Sequence, residues 1–222
     1  MTPTPPGGGA STAAAGLEAE PAEAAAVFGD ALPLVRRYAQ DLAEHGERLG
    51  LIGPLEPPRL WSRHVINSGL LGDLLPQGAS VADVGSGAGL PGLVLAAARP
   101  DLRLTLIEPM ERRVAWLREE SARLGLEDVV VERGRAEEVA PHRFDVVTAR
   151  AVGALTGLLP ITARLARPGG TLALLKGASV EAELQKAEKV VRRLRLEDVR
   201  VESVGRGMAG LETRVFLATV PG

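Results

Sequence analysis

Ser80-Val81-Ala82-Asp83-Val84-Gly85-Ser86-Gly87-Ala88-Gly89-Leu90-Pro91-Gly92 is the stretch on which the fold turns. A short apolar run ends in an acid, glycines follow at alternate positions, and apolar residues resume at helical spacing from Leu90 to Ala98. That pattern predicts a strand, a tight loop and a helix. Glycine lets a backbone approach a ligand with no Cβ in the way, and the N–H groups of the loop and the first helical turn are donors in search of an acceptor. The stretch therefore reads as a cofactor cradle.

Gly87 to Gly92 fits the dinucleotide spacing G-x-G-x-x-G. Glu108 follows about 20 residues further on, at the expected end of the next strand, where a ribose-binding carboxylate belongs. Asp83 argues against a dinucleotide. A carboxylate two residues before the first glycine would repel a pyrophosphate but would welcome an ammonium or sulfonium group. In this the segment resembles motif I of the class I S-adenosylmethionine-dependent methyltransferases, with Glu108 at the position that holds the adenosine ribose there. A glycine turn that only packs a strand on a helix is the plainer alternative, and it leaves the coincidence of Asp83, the loop and Glu108 unexplained.

At 222 residues the chain can bury one sizeable core with an appendage. It contains no cysteine, which excludes disulfides, thiolate metal sites and the cysteine adduct used to methylate C5 of pyrimidines. His45, His64 and His142 are its three histidines, too scattered to suggest a metal cluster, so no metal is expected. The formal net charge is −2, and the first 30 residues contribute Glu18, Glu20, Glu23 and Asp30 with no basic residue, leaving the remainder slightly basic. Such a balance does not suit a tight autonomous RNA binder. Lys176, Lys186 and Lys189 are the lysines; every other basic residue is arginine, which suits phosphate recognition. No apolar run reaches the roughly 18 residues of a membrane span, and no signal-peptide pattern opens the chain, so a cytoplasmic location with no membrane partner is expected.

Residues 1–24 are rich in Pro, Gly and Ala and are expected as a disordered tail, with a short alanine helix over 22–26 as the alternative. Residues 25–76 are expected as a helical cap. Phe28, Leu32, Val35, Tyr38, Ala39 and Leu42 mark one amphipathic helix, and Leu60, Trp61, Val65, Ile66, Leu70 and Leu71 mark a second, from about Pro58 to Leu75. Residues 77–222 are expected as the cofactor-binding domain. Strands are predicted over 80–83, 102–107, 129–131, 144–148 and 171–175, alternating with helices over 90–98, 110–124, 155–165 and 180–194, and Arg167-Pro168-Gly169-Gly170 is read as a turn. The alternation predicts an α/β fold with a parallel sheet covered on both faces. Residues 197–204 and 211–220 then alternate at strand period across a glycine loop, which predicts a terminal antiparallel pair. A Rossmann-like sheet that ends in such a hairpin is the methyltransferase variant of the layout.

Beyond these spacings, the sequence resembles the glucose-inhibited division protein B family of bacterial methyltransferases, which modify N7 of a guanine in 16S ribosomal RNA. The residues that carry the resemblance are Trp61-Ser62-Arg63-His64 with Asn67-Ser68, Asp83 through Gly92, Gly134-Arg135-Ala136-Glu137-Glu138, Ala149-Arg150-Ala151 and Leu175-Lys176-Gly177. The resemblance implies S-adenosyl-L-methionine as cofactor, held at Gly85 and Leu90 in the loop, Ala136 and Glu137 beside the adenine, and Arg150 after the fourth strand. Asp83, Gly87 and Glu108 join the set from their places in the motif. Arg63, His64, Arg150 and Lys176 are the residues expected on the substrate side. The implied partner is 16S ribosomal RNA within a small-subunit particle. One departure stands out: the family usually reads Asn-Leu-Thr where this chain has Gly50-Leu51-Ile52.

Guanine N7 carries an in-plane lone pair and no proton, so its methylation needs no general base. Accordingly, Thr148-Ala149-Arg150-Ala151 lacks the Asp/Asn-Pro-Pro-aromatic loop that handles exocyclic amines. Two other readings stay open on the residues alone. A small-molecule methyltransferase would close its cap over an enclosed apolar cavity, and a non-catalytic scaffold would bind nucleotide or RNA without turnover.

Overall fold

A computed structural model describes residues 16–150, 153–208 and 210–222. The tail expected over 1–15, and Ala151 of the Ala149-Arg150-Ala151 segment, lie outside the described residues.

The cap begins with α1 (Ala24–Phe28) and, after a 3-10 turn, α2 (Leu32–His45). Pro33 in the first turn of α2 removes no needed hydrogen bond there, and the stripe of Leu32, Val35, Tyr38, Ala39 and Leu42 is buried. The residues just before α1, expected as the end of the tail, are docked instead. The Glu18 N–H donates to the Pro57 carbonyl at 2.9 Å, the Glu18 carboxylate accepts the Ser62 N–H at 2.9 Å, and Glu20 pairs with Arg36. Carboxylates at 18 and 20 find the bare donors of the cap, an attraction that composition does not display.

The second cap helix runs without a gap from Pro57 to Leu74, but its hydrogen-bond pattern changes along the way. A 3-10 turn (Pro57–Arg59), a π-helical turn (Trp61–Val65), α3 (Ile66–Leu70) and another 3-10 turn (Leu71–Leu74) follow one another. Ser68 Oγ donates to the His64 carbonyl at 2.7 Å and Asn67 Nδ2 to the Arg63 carbonyl at 2.8 Å, side-chain bonds that compete with the helical ladder. The apolar face is kept through these changes: Trp61, Val65, Ile66, Leu70 and Leu71 are all buried in one cluster with α2 and the sheet. Phe28 and Trp61 meet edge to face with ring centroids 6.5 Å apart. Gly69 lets α1 approach: a Cβ there would lie 2.4 Å from Phe28 Cε1 and 2.8 Å from Val27 Cγ1. Gly69→Ala is therefore expected to destabilise the protein by about 1–3 kcal/mol despite alanine's better helix propensity, read as a lower denaturant midpoint at unchanged m.

The sheet contains β1 (Ser80–Val84), β2 (Arg103–Glu108), β3 (Val130–Arg133), β4 (Phe144–Arg150), β5 (Ala166–Lys176), β6 (Glu197–Val204) and β7 (Thr213–Thr219). They lie in the order β3-β2-β1-β4-β5-β7-β6. β1 pairs in parallel with both β2 and β4, while β7 slots between β5 and β6, antiparallel to each. Helices α4 (Gly92–Ala98), α5 (Glu111–Arg123), α6 (Leu155–Leu165) and α7 (Val180–Leu194) complete the alternation. Two clusters sandwich the sheet. Val81, Leu104, Leu106 and Val146 face the cap and α4; Ala82, Val84, Val147 and Leu174 face the side packed with α6 and α7 residues. The expected turn at Arg167-Pro168-Gly169-Gly170 is instead part of β5, which follows α6 without a break. The extra residues are absorbed by a register shift where Phe144 pairs with Ala166 and Val146 with Thr171. No helix among the described residues is long and apolar enough to cross a membrane.

The strand order places the loops after β1, β2 and β4 side by side at the carboxyl edge of the sheet, at the point where the order reverses. That is where open α/β sheets bind their ligands.

Candidate cofactor and substrate site

The loop after β1 is shaped by hydrogen bonds from beneath. Gly85 N and Ser86 N both donate to the Ile107 carbonyl, at 2.9 and 3.2 Å, which ties the loop to β2. Gly85 (φ 70°) and Gly87 (φ 56°) occupy the left-handed region, which side-chain-bearing residues rarely adopt. Tyr38 Oη from α2 and Trp116 Nε1 from α5 both donate to the Ala88 carbonyl, at 3.1 and 2.9 Å. Cap and sheet domain thus hold one peptide of the loop between them.

Glu108, fully buried at the end of β2, accepts from Gly87 N at 2.9 Å through Oε2 and from Met110 N at 3.0 Å through Oε1. Each carboxylate oxygen carries two lone pairs, so both retain one acceptor site toward the cleft. The cleft above has a volume of about 400 Å³ and is lined by Gly85, Gly87, Leu90, Glu108 and Arg150 of the expected set, with Leu51, Ile52, Met110 and Arg113 in addition. The volume lies within the range of small-molecule and cofactor sites. Gly50 stands at φ 62°, a backbone position open to glycine and asparagine alike, which is why glycine can replace the asparagine of the family pattern.

Asp83 does not reach this cleft. Alternation along β1 turns Val81 and Asp83 under α4, and Asp83 is 0% exposed. Its Oδ2 accepts the Gly92 N–H at 3.0 Å, so it anchors the start of α4 rather than facing a ligand. Burial pushes its carboxyl up to about 7, although the Gly92 N–H, Ser86 and Arg150 pull the other way. A carboxyl whose folded pKa lies above its unfolded value stabilises the fold fully below about pH 4, and that contribution is lost as pH rises through 7. Glu120, buried beside Asp41, is also raised to about 7 and acts with the same sign. His64, lowered to about 4, acts oppositely, but only below its unfolded value near 6.5. The melting temperature is expected to fall as pH rises toward about 7, partly offset by His64 below pH 6.5, and to level off above it; Asp83→Asn, which keeps an acceptor for Gly92, is expected to flatten that fall. An equally steep fall in Asp83→Asn would contradict the assignment.

Ala136 and Glu137 are likewise not on the wall of the cleft. Ala136 is buried among the residues that pack against α6, its carbonyl accepting from Arg164 at 3.3 Å, and Glu137 is exposed. The loop that carries them is nevertheless adjacent, since Gly134 N donates to the Glu108 carbonyl at 3.3 Å.

A second cavity, of about 580 Å³, lies on the other side of Arg150 and is lined by Arg63, His64, Asn67, Arg150, Lys176 and Arg214 among others. The four expected substrate-side residues are brought together here, but they are not equally free. Lys176 Nζ donates to the Gly153 carbonyl at 2.9 Å and pairs with Glu183 at 2.7 Å, so its charge is largely balanced within the protein. His64 is buried, with Arg150 Nη1 at its Nδ1 and Glu56 at its Nε2. With both ring nitrogens engaged it offers substrate no acid or base. Among the described residues, Arg150 is the one that lines both cavities. Glu56, Met110 and Arg113 carry no signal in spacing or residue type that marks them as site residues.

With the geometry set out, the comparisons with known proteins bear on it directly. The family described as rRNA small subunit methyltransferase G, GidB, matches residues 31–212. The chain belongs to this family. The ribosomal RNA small subunit methyltransferase G of Clavibacter sepedonicus is 55% identical over 205 residues, which span 92% of this chain and 97% of that protein. The protein of the same name from Leifsonia xyli subsp. xyli is 53% identical, spanning 92% and 98%. Among solved structures, the tRNA (m1A58) methyltransferase of Aquifex aeolicus superposes with a TM-score of 0.57 at 12% identity, covering 71% of this chain and 69% of that one. A SAM-dependent O-methyltransferase from Thermotoga maritima gives 0.55 at 18%, covering 70% and 65%. At such identities the likeness speaks for the fold alone. The GidB match begins within the cap and ends just before β7, so cap and sheet are both part of what this family shares.

Proposed function

We infer that the protein transfers the methyl group of S-adenosyl-L-methionine to N7 of a guanine in 16S ribosomal RNA. Family membership supports the activity, and one observation carries the site: two cavities meet at Arg150, one over the glycine loop and one open to solvent and bordered by arginine. The first suits the cofactor. Glu108 would accept the ribose hydroxyls, Gly85 and Gly87 would let the backbone approach, and Leu51, Ile52 and Leu90 would supply apolar wall. The cofactor, when bound, supplies a methyl already activated on a sulfonium.

The chain's own residues then have to position and to accommodate charge. Arg63 and Arg150 border the open cavity, where a guanidinium can pair bidentately with a phosphate or with an acceptor on the guanine edge. No proton leaves N7, which agrees with a His64 that is neutral, buried and fully engaged. An open face lined by arginine is what a splayed RNA base requires, and it is not the enclosed apolar chamber that a small metabolite would need.

The test uses small ribosomal subunits from cells that lack the modification, incubated with the protein and S-adenosyl-L-methionine. Nucleoside mass spectrometry is expected to show one 7-methylguanosine per 16S rRNA, with naked short oligonucleotides poor substrates. Methylation of another base, or equal activity on unstructured oligonucleotides, would overturn the reading.

A further inference from the structure

Glu56 lies in the cap ahead of the 3-10 turn, and nothing in the sequence marks it, yet it begins a chain of contacts that ends at the site. Its Oε1 accepts from Arg59 Nη2 at 2.5 Å and its Oε2 from Arg59 Nε at 3.1 Å, a bidentate pair that fixes the carboxylate plane. Oε2 also meets His64 Nε2, and His64 Nδ1 meets Arg150 Nη1. The proton positions follow from chemistry. A guanidinium is donor only, so Nδ1 must present its lone pair; the ring proton is then on Nε2 and is donated to Glu56. Ser68 Oγ fixes the backbone of the same residue by donating to the His64 carbonyl at 2.7 Å. His64 is lowered to about 4 by burial and by the Arg150 charge, which outweigh the opposing pull of Glu56, so the ring stays a neutral acceptor at neutral pH.

We propose that Glu56 is a positioning residue that acts through His64: by fixing the imidazole tautomer it holds the Arg150 guanidinium at the wall between cofactor cleft and acceptor cavity. The proposal rests on the reading of Arg150 as a substrate-side group. Without the carboxylate, the imidazole is free to carry its proton on Nδ1, where it would face a second donor, and the guanidinium would swing away. Glu56 itself does not line either cavity, so an effect of its replacement on turnover has to be transmitted through His64.

The experiment is a double-mutant cycle of Glu56→Ala and Arg150→Ala, with unmodified small subunits as substrate and thermal melting as a control. Glu56→Ala is expected to lower kcat about tenfold, with the KM for S-adenosyl-L-methionine changed less than about threefold; it leaves the buried His64 N–H unpaired, so the assay is run below its lowered melting temperature. In the Arg150→Ala background the same change is expected to cost less than about twofold, because the residue through which it acts is gone. Glu56→Gln, which keeps an acceptor for His64, is expected to retain most of the activity. Independent, multiplying losses would overturn the proposal, as would wild-type activity in Glu56→Ala beside a disabled Arg150→Ala; either leaves the proposed function standing. Full activity in Arg150→Ala would overturn this proposal and the assignment of the site together.

Discussion

Arg150→Ala is expected to lower kcat/KM for small-subunit rRNA about a hundredfold, the size seen when one preorganised charged donor is removed from a reacting centre. Three observations place that weight on one side chain. Arg150 ends β4 at the carboxyl edge of the sheet, it lines both cavities, and its guanidinium is held from behind by His64. Its desolvation is also informative: burial lowers its pKa, and nearby Asp83 and Glu56 raise it again. A cation kept this dry interacts more strongly with a phosphate or a guanine edge than a solvated surface arginine would. Arg150→Lys keeps the charge but loses the planar fork, and should recover only part of the rate. The same variants carry an internal check. Because the Arg150 charge is one cause of the lowered His64 pKa, the His64 resonances in Arg150→Ala should titrate at a higher pH than in the wild type. A rate within threefold of wild type for Arg150→Ala, with the His64 shift present, would show that the contact exists but is not used in methyl transfer.

The sheet was readable because its signals are local. Apolar strands, glycine loops and amphipathic helices alternate with little ambiguity, so β1, α4, α6, α7 and the terminal antiparallel pair fall where the pattern predicts them. The cap was less legible. Apolar spacing from Leu60 to Leu75 predicts one helix and one helical run is found, but its π-helical and 3-10 turns are choices that periodicity cannot register. For the site, the glycines and Glu108 singled out by the sequence do line the cleft over the loop, because a glycine turn after one strand and an acid at the end of the next are placed by local pattern. Asp83 was misread for a geometric reason: a carboxylate beside a glycine loop suggests a ligand contact, but strand alternation turns it beneath α4. Glu56 was out of reach altogether, since a lone acid in a loop acquires meaning only through the two residues it touches.

The buried Asp83 also makes Gly92 a position where a single methyl group should do more damage than at Gly87 in the loop. Gly87→Ala places its Cβ 3.7 Å from the nearest atom, the Gly85 carbonyl, so its cost is the left-handed backbone alone, about 1–2 kcal/mol. At Gly92 the backbone is ordinary and the space is not. A Cβ there would lie 2.2 Å from Leu106 Cδ2, 2.7 Å from Asp83 Oδ2 and 3.2 Å from Asp83 Cβ. Leu106 is fully buried in β2 and Asp83 is fully buried in β1, so neither can step aside without disturbing a strand. The alternative is for α4 to lift, which breaks the Gly92 N–H bond to Asp83 and leaves a buried carboxyl without its donor. Gly92→Ala is therefore expected to destabilise the protein by about 3 kcal/mol or more, overpacking and a lost buried hydrogen bond acting together. Because α4 continues directly from the loop, its displacement should also weaken S-adenosyl-L-methionine binding at least tenfold, measured by calorimetry at a temperature where the variant remains folded. The ordering of the two variants is the decisive result. If Gly87→Ala proves the more destabilising in denaturant titrations, Asp83 is not the anchor of α4, and Gly92 is there for the ligand rather than for the packing of a helix on its strand.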